Sequence, residues 1–173
     1  VRDFQYPPAM KQSVFFTLLC ILTGTAVPAR SWSQTIDKAR FYSAMASGNL
    51  EETNNELTIV AASTIKEKEA YTGALLMRKA GMLTRAKEKL ATFKSGYAKM
   101  ERSIALDSAN IEYRFLRLII QEHAPRVVHY DKDREKDSRA IIQSFPTLPP
   151  VLQKAILNYC PHSKLLHERE LNG

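Results

Sequence analysis

Cysteine, glycine and proline are all scarce in this chain. Two Cys cannot build a disulfide-framework miniprotein. Six Gly and eight Pro among 173 residues leave room for long uninterrupted helices. Runs of alternating β-branched residues bounded by turn pairs are missing, so strands are not expected. No apolar run reaches the roughly 20 residues that a spanning helix needs. Chemical signatures are equally sparse. There is no Gly-rich phosphate loop, no G-x-S-x-G elbow and no S-x-x-K set in a plausible place. These gaps lean the reading away from an enzyme and leave that question open. What remains is ordinary globular composition, 45% hydrophobic and 25% charged, in a length that fits one domain.

Residues 10–34 read as a secretory signal peptide. Met10 and Lys11 supply a short positive start, and residues 14–27 (VFFTLLCILTGTAV) an apolar stretch too short to span a bilayer comfortably. Pro28 breaks it, and Ser31 and Ser33 put small residues before a cleavage point at Gln34, with Ala29 as a second option. Translation is expected to start at Met10, with residues 1–9 an upstream extension. Leu19 before Cys20 is a poor lipobox, so no lipid anchor is expected. Residues 34–173 form the expected single domain, periplasmic or secreted. Without residues 1–33 the charge is 22 Lys+Arg against 17 Asp+Glu, or +5, and Cys160 is the only thiol left. Stability must then come from packing rather than a disulfide.

The expected fold is all-α, six or seven helices packed as consecutive hairpins. Apolar residues at three- and four-residue spacing place helices at 35–47, 50–62, 65–80, 84–107, 111–123, 131–144 and 151–159, with a frayed helical tail over 162–172. Gly48-Asn49 stops the first helix. Thr64 and Glu67 have capping-box spacing. Gly81 marks a turn, Gly96 is a candidate kink, and Asn110 is placed to cap the fifth helix.

Residues 70–110 resemble a degenerate tetratricopeptide repeat. Ala74 stands at the small site of the first repeat helix, Gly81 at the turn, Ala86 at the small site of the second helix and Leu90 at the following large site. Residues 103–110 (SIALDSAN) resemble the repeat's ending, with Ser108 where Pro is usual, and residues 46–52 resemble an inter-helix turn. The second helix carries about ten extra residues, and the large residue expected early in the first is missing. The resemblance therefore implies repeat-like helical hairpins and carries over no peptide groove. The chain is also similar to secreted all-helical proteins of bacteria, which implies a periplasmic or outer-envelope setting and no particular activity.

Charge is the most informative feature. Residues 78–102 hold eight Lys and Arg against Glu88 and Glu101, or +6, whereas residues 51–69 hold five Glu against two Lys, or −3. A basic helix in an exported protein points to lipid headgroups, lipopolysaccharide or acidic envelope proteins rather than to nucleic acid. Lys87, Lys94 and Arg102 are the candidate contacts. The same charges also serve as a solvated outer face.

Arg114, Arg117 and Gln121 share one face of the fifth helix. Two roles are open for the arginines: a fork for a carboxylate or phosphate, or a structural latch to an acid of the sixth helix such as Asp137. Tyr130 is placed to close the same seam. The alternative chemistry is a metal-binding or hydrolytic cluster of His123, His129, Asp131 and Asp133. Its competitor is plain helix-end electrostatics, a cation at a C-terminus and acids at an N-terminus. A calcium loop beginning at Asp131 is excluded by Lys136 and Ile142 at its sixth and twelfth positions. Cys160 and His162, with Glu168 as orienter, lack a pocket-forming context. An apolar-ligand carrier is a third reading, because bundles can hold such sites. No cofactor is expected. The expectation is a non-enzymatic interaction or scaffold protein of the cell envelope.

Overall fold

The computed structural model describes residues 35–171. The signal-peptide reading, Cys20 and the cleavage point lie outside the described residues. Eight α-helices and three short 3-10 turns account for about three-quarters of this segment, with no strand among the described residues.

Local chemistry sets the helix boundaries. Asp37 Oδ1 accepts from the amides of Ala39 and Arg40 and opens α1 (Lys38–Ser47). Gly48 then turns the chain at φ +66°, a left-handed conformation that strains residues with a Cβ. Asn49 caps α2 (Leu50–Ala62), whose first turn carries Glu51 and Glu52 against the positive helix end. The capping box expected at Thr64 does not form. α3 (Lys68–Met82) begins three residues later than expected, without a side-chain cap. Ser63 instead donates to the Val60 carbonyl, and Lys68 reaches back to that of Ala61. Gly81 lies inside α3 rather than at a turn.

α4 (Ala86–Leu106) is continuous through Gly96. The reason for that glycine is proximity. A Cβ there would lie 2.6 Å from the Gly73 carbonyl oxygen, and one on Gly73 would lie 2.9 Å from that of Gly96. α3 and α4 cross backbone to backbone at this pair. Ala86, the small residue expected at the crossing, is exposed.

Asn110 caps α5 (Ile111–His123) through the Tyr113 amide. Pro125 ends α5 and leads into a 3-10 turn, Arg126–Val128. α6 (Arg134–Ser144) and α7 (Pro150–Tyr159) follow, with Pro150 in the first turn of α7. The segment after α7 does not fray. Ser163 Oγ accepts from the amides of Leu165 and Leu166, Ser138 donates to the Leu165 carbonyl, and Leu166 and Leu171 are buried. The last element is a short helix, α8 (Glu168–Leu171).

Neighbouring helices pack in chain order from α1 to α6, most extensively α3 with α4, while α7 packs back on α1. Two hydrophobic clusters result. The first centres on Phe41, Tyr71, Leu75, Met100 and Leu116; the Phe41 and Tyr71 rings stack 4.2 Å apart. The second centres on Phe115, Leu118, Ile141, Ile156 and Leu166. Among the described residues, the two clusters draw on positions from 36 to 171. α5 supplies both, Leu116 and Ile120 to one and Phe115 and Leu118 to the other, so it is apolar on two opposed sides.

Candidate functional site

Because α5 is enclosed by both clusters, its polar face is enclosed too. Arg117 and Gln121 are only 4% and 3% exposed. A buried guanidinium without a counter-charge is prohibitively costly. α6 supplies the counter-charge. Asp137 is fully buried and accepts from Arg117 Nε at 2.7 Å, Arg117 Nη2 at 2.9 Å and Arg114 Nη1 at 2.9 Å. Glu101 on α4 accepts from Arg117 Nη1 at 3.2 Å and from the Tyr130 hydroxyl at 2.6 Å. Asp133 stands 3.4 Å from the same Nη1. Burial lowers the Arg117 pKa, but the bonds to Asp137 and the charges of Asp137, Glu101 and Asp133 prevail and hold it above the ordinary range. Burial and the Glu101 bond push the Tyr130 phenol well up. Arg114, Arg117 and Tyr130 thus join α4, α5 and α6, with both arginines directed at Asp137.

Two further carboxylates do similar work, and neither was picked out in the sequence. Glu112 accepts from the hydroxyls of Tyr42 on α1 and Tyr71 on α3 and pairs with Lys38 Nζ at 2.6 Å. Glu122 accepts from Tyr159 Oη, Ser163 Oγ and the Lys164 amide, which fixes the chain after α7. Desolvation, reinforced by the adjacent carboxylates, raises the phenols of Tyr42, Tyr71 and Tyr159 well above their usual range. In sequence Glu112 is a first-turn acid beside a cap and Glu122 an ordinary helix-end acid. Their tyrosine partners are 70, 41 and 37 residues away, with no local pattern to announce them.

The histidines do not converge. His123 Nδ1 lies 2.9 Å from its own helix's Ile119 carbonyl and 3.4 Å from Tyr159 Oη. His129 follows Pro125 and the 3-10 turn, with φ +48°, and lines a cavity of about 100 Å³ with Tyr97, Glu101, Gln121 and Asp131. No group of three or more His, Cys, Asp or Glu side chains is arranged for a metal ion among the described residues. The turn that Pro125 imposes between the imidazoles accounts for their separation. Asp131 pairs with Arg134 and Asp133 with Arg117. Cys160 is buried, and desolvation followed by the Glu168 charge raises its thiol pKa, the opposite of an activated nucleophile.

The basic face of α4 is different in kind. Every residue from 84 to 91 is exposed, so the first turns of α4 stand clear of the rest. Lys99 is tied to Glu69 at 2.7 Å and Glu101 to Arg117. Arg85, Lys87, Lys89, Lys94 and Arg102 are exposed and form no ion pair among the described residues, with Glu88 the one exposed acid among them. Lys87, Lys94 and Arg102 fall within about 80° of arc at 100° per residue. Leu90 and Tyr97 lie on the same side and are 47% and 44% exposed.

These features define, among the described residues, an all-helical fold whose buried charges link its own helices and which carries five exposed, unpaired cations along α4 and its N-cap. No protein-family model, curated protein or solved structure matches this chain.

Proposed function

We propose that this is a non-enzymatic interaction protein of the bacterial cell envelope that docks an acidic partner on the basic face of α4. The observation that carries the reading is the set of five exposed cations, Arg85, Lys87, Lys89, Lys94 and Arg102, none in an ion pair among the described residues, the first three of them on helix turns that stand clear of the body. Like charges gathered on one helix repel one another, and an anionic partner relieves that repulsion while speeding encounter. The polar clusters around Asp137, Glu112 and Glu122 support the non-enzymatic part, because each is occupied in joining helices. The leader-like pattern of residues 10–34 supports the envelope setting.

The test is retention on an immobilised polyanion, poly-glutamate, at low salt. The wild-type chain is expected to be retained and to elute as salt screens the contact. The triple variant K87E/K94E/R102E is expected to pass through with an unchanged unfolding midpoint, since all three residues are exposed. Equal retention of the two proteins would refute the reading.

A further inference from the structure

Resting on that reading, we propose that the anionic partner of α4 is a lipid bilayer surface, with Leu90 seated in the interfacial layer between the headgroups that Lys87 and Lys94 contact. Three observations carry this.

The first is interleaving. Lys87, Leu90, Lys94 and Tyr97 follow one another at spacings of three, four and three residues, which makes a single stripe along the helix. A purely ionic contact has no use for a large apolar side chain in the middle of its cations. An anionic bilayer takes both: phosphates for the ammonium groups, and an apolar layer just beneath for the leucine. Lysine suits the arrangement, because its aliphatic stem lies along apolar surface while its charge reaches outward.

The second is shape. Residues 84–91 are exposed without exception, so this end of α4 is a projecting rod rather than the wall of a groove. A rod that carries Leu90 among its cations matches a flat, laterally fluid surface that closes around it.

The third is a second exposed apolar point, three residues along the chain from a side chain packed on α4. Tyr130 packs edge-on against both Phe93 and Tyr97 of α4, with ring centroids 5.9 and 5.1 Å away. The 3-10 turn just before it presents Val127, 79% exposed, next to the exposed cation Arg126. The pattern of α4, an apolar residue beside a cation, is repeated there.

Leu90 provides the test because its exposure makes substitution harmless to the core. Among the described residues both hydrophobic clusters lie inside 34–173, and this segment lacks Trp32, the only tryptophan, so Leu90→Trp introduces a single reporter, read once a cooperative urea transition shows the segment folded. Binding of this segment is measured to vesicles of phosphatidylglycerol and phosphatidylcholine, to vesicles of phosphatidylcholine alone, and to poly-glutamate. Wild type is expected on the anionic vesicles and on poly-glutamate, and not on pure phosphatidylcholine. K87E/K94E/R102E is expected to weaken vesicle binding by about a hundredfold or more, at about fivefold for each cation lost, before the repulsion of the added carboxylates. Leu90→Ser is expected to weaken vesicle binding by roughly fivefold and leave poly-glutamate retention unchanged. Leu90→Trp is expected to bind vesicles at least as tightly as wild type, with its emission shifted to the blue. Binding to poly-glutamate without binding to anionic vesicles would overturn the bilayer and leave the acidic-partner reading standing. Vesicle binding with no effect of Leu90→Ser and no blue shift of Leu90→Trp would overturn the seating of Leu90. Binding to neither target would overturn both.

Discussion

Gly96→Ala sets two physical effects against each other. Alanine is favoured over glycine by about 1 kcal/mol inside a helix, so on propensity alone the substitution in α4 stabilises the protein. The new methyl group, however, would sit 2.6 Å from the Gly73 carbonyl oxygen, 2.8 Å from Met77 Cγ and 2.9 Å from the Met77 amide nitrogen. Met77 Cγ can swing away, but the two backbone atoms cannot. α3 and α4 must separate by several tenths of an ångström along the most extensive helix pairing in the fold. Overpacking of this kind costs roughly 1–3 kcal/mol or more. The cost exceeds the propensity gain, and a net loss of about 1–2 kcal/mol is expected. Gly81 is the control. It is also helical, and a Cβ there meets nothing within 4 Å, so Gly81→Ala is expected to gain about 0.5 kcal/mol. Urea unfolding of the two variants beside wild type should therefore move the midpoint in opposite directions. If Gly96→Ala raises the midpoint as Gly81→Ala does, the backbone-to-backbone crossing is wrong.

Asp137→Asn keeps the shape of the α5–α6 latch and removes its charge. Arg117 keeps Glu101 at 3.2 Å and Asp133 at 3.4 Å, so the expected loss is about 3 kcal/mol, the lower end for breaking a buried pair. A calorimetric loss below about 1 kcal/mol would mean that the latch is not a buried pair in energetic terms. The protein is also expected to lose stability in alkali. The phenols of Tyr42, Tyr71, Tyr130 and Tyr159 are raised in the fold above their usual value of 10, so their stabilisation is complete below about pH 10 and drains away above it. The unfolded chain releases those protons first, which makes the slope negative, at about 1.4 kcal/mol per pH unit for a fully buried phenol such as Tyr71. Tyr71→Phe, unfolded in urea at a series of pH values from 8 to 11.5, should show a shallower decline than wild type; parallel curves would contradict the assignment.

The helices were legible in the sequence where periodicity and caps agreed. Leu50–Ala62 and Ile111–His123 fall where the spacing, the Gly48-Asn49 stop and the Asn110 cap put them. The all-α class followed from the same periodicity, though among the described residues there are eight helices rather than six or seven. The start of α3 was misread because Ser63 and Lys68 satisfy the end of α2 instead of allowing Thr64 to open the next helix. The chain after α7 was misread because its order comes from Glu122 and Ser138, residues 42 and 27 positions upstream of their backbone partners. The Arg114 and Arg117 seam was visible as a shared helix face, and Asp137 was named as a partner. Its burial was not visible, since it depends on both sides of α5 being covered. Glycine spacing said nothing of which helices would touch at Gly73 and Gly96.

The knot around Glu112 has a consequence for assembly. A single carboxylate gathers Lys38 and Tyr42 from the first helix and Tyr71 from the third, so it is satisfied only after three stretches far apart along the chain have met. A slip of α1 by one residue along its neighbours would turn Tyr42 away and strand a negative charge in a greasy interior. The knot thereby acts as a proofreader of topology, penalising near-native arrangements that the apolar contacts alone would accept.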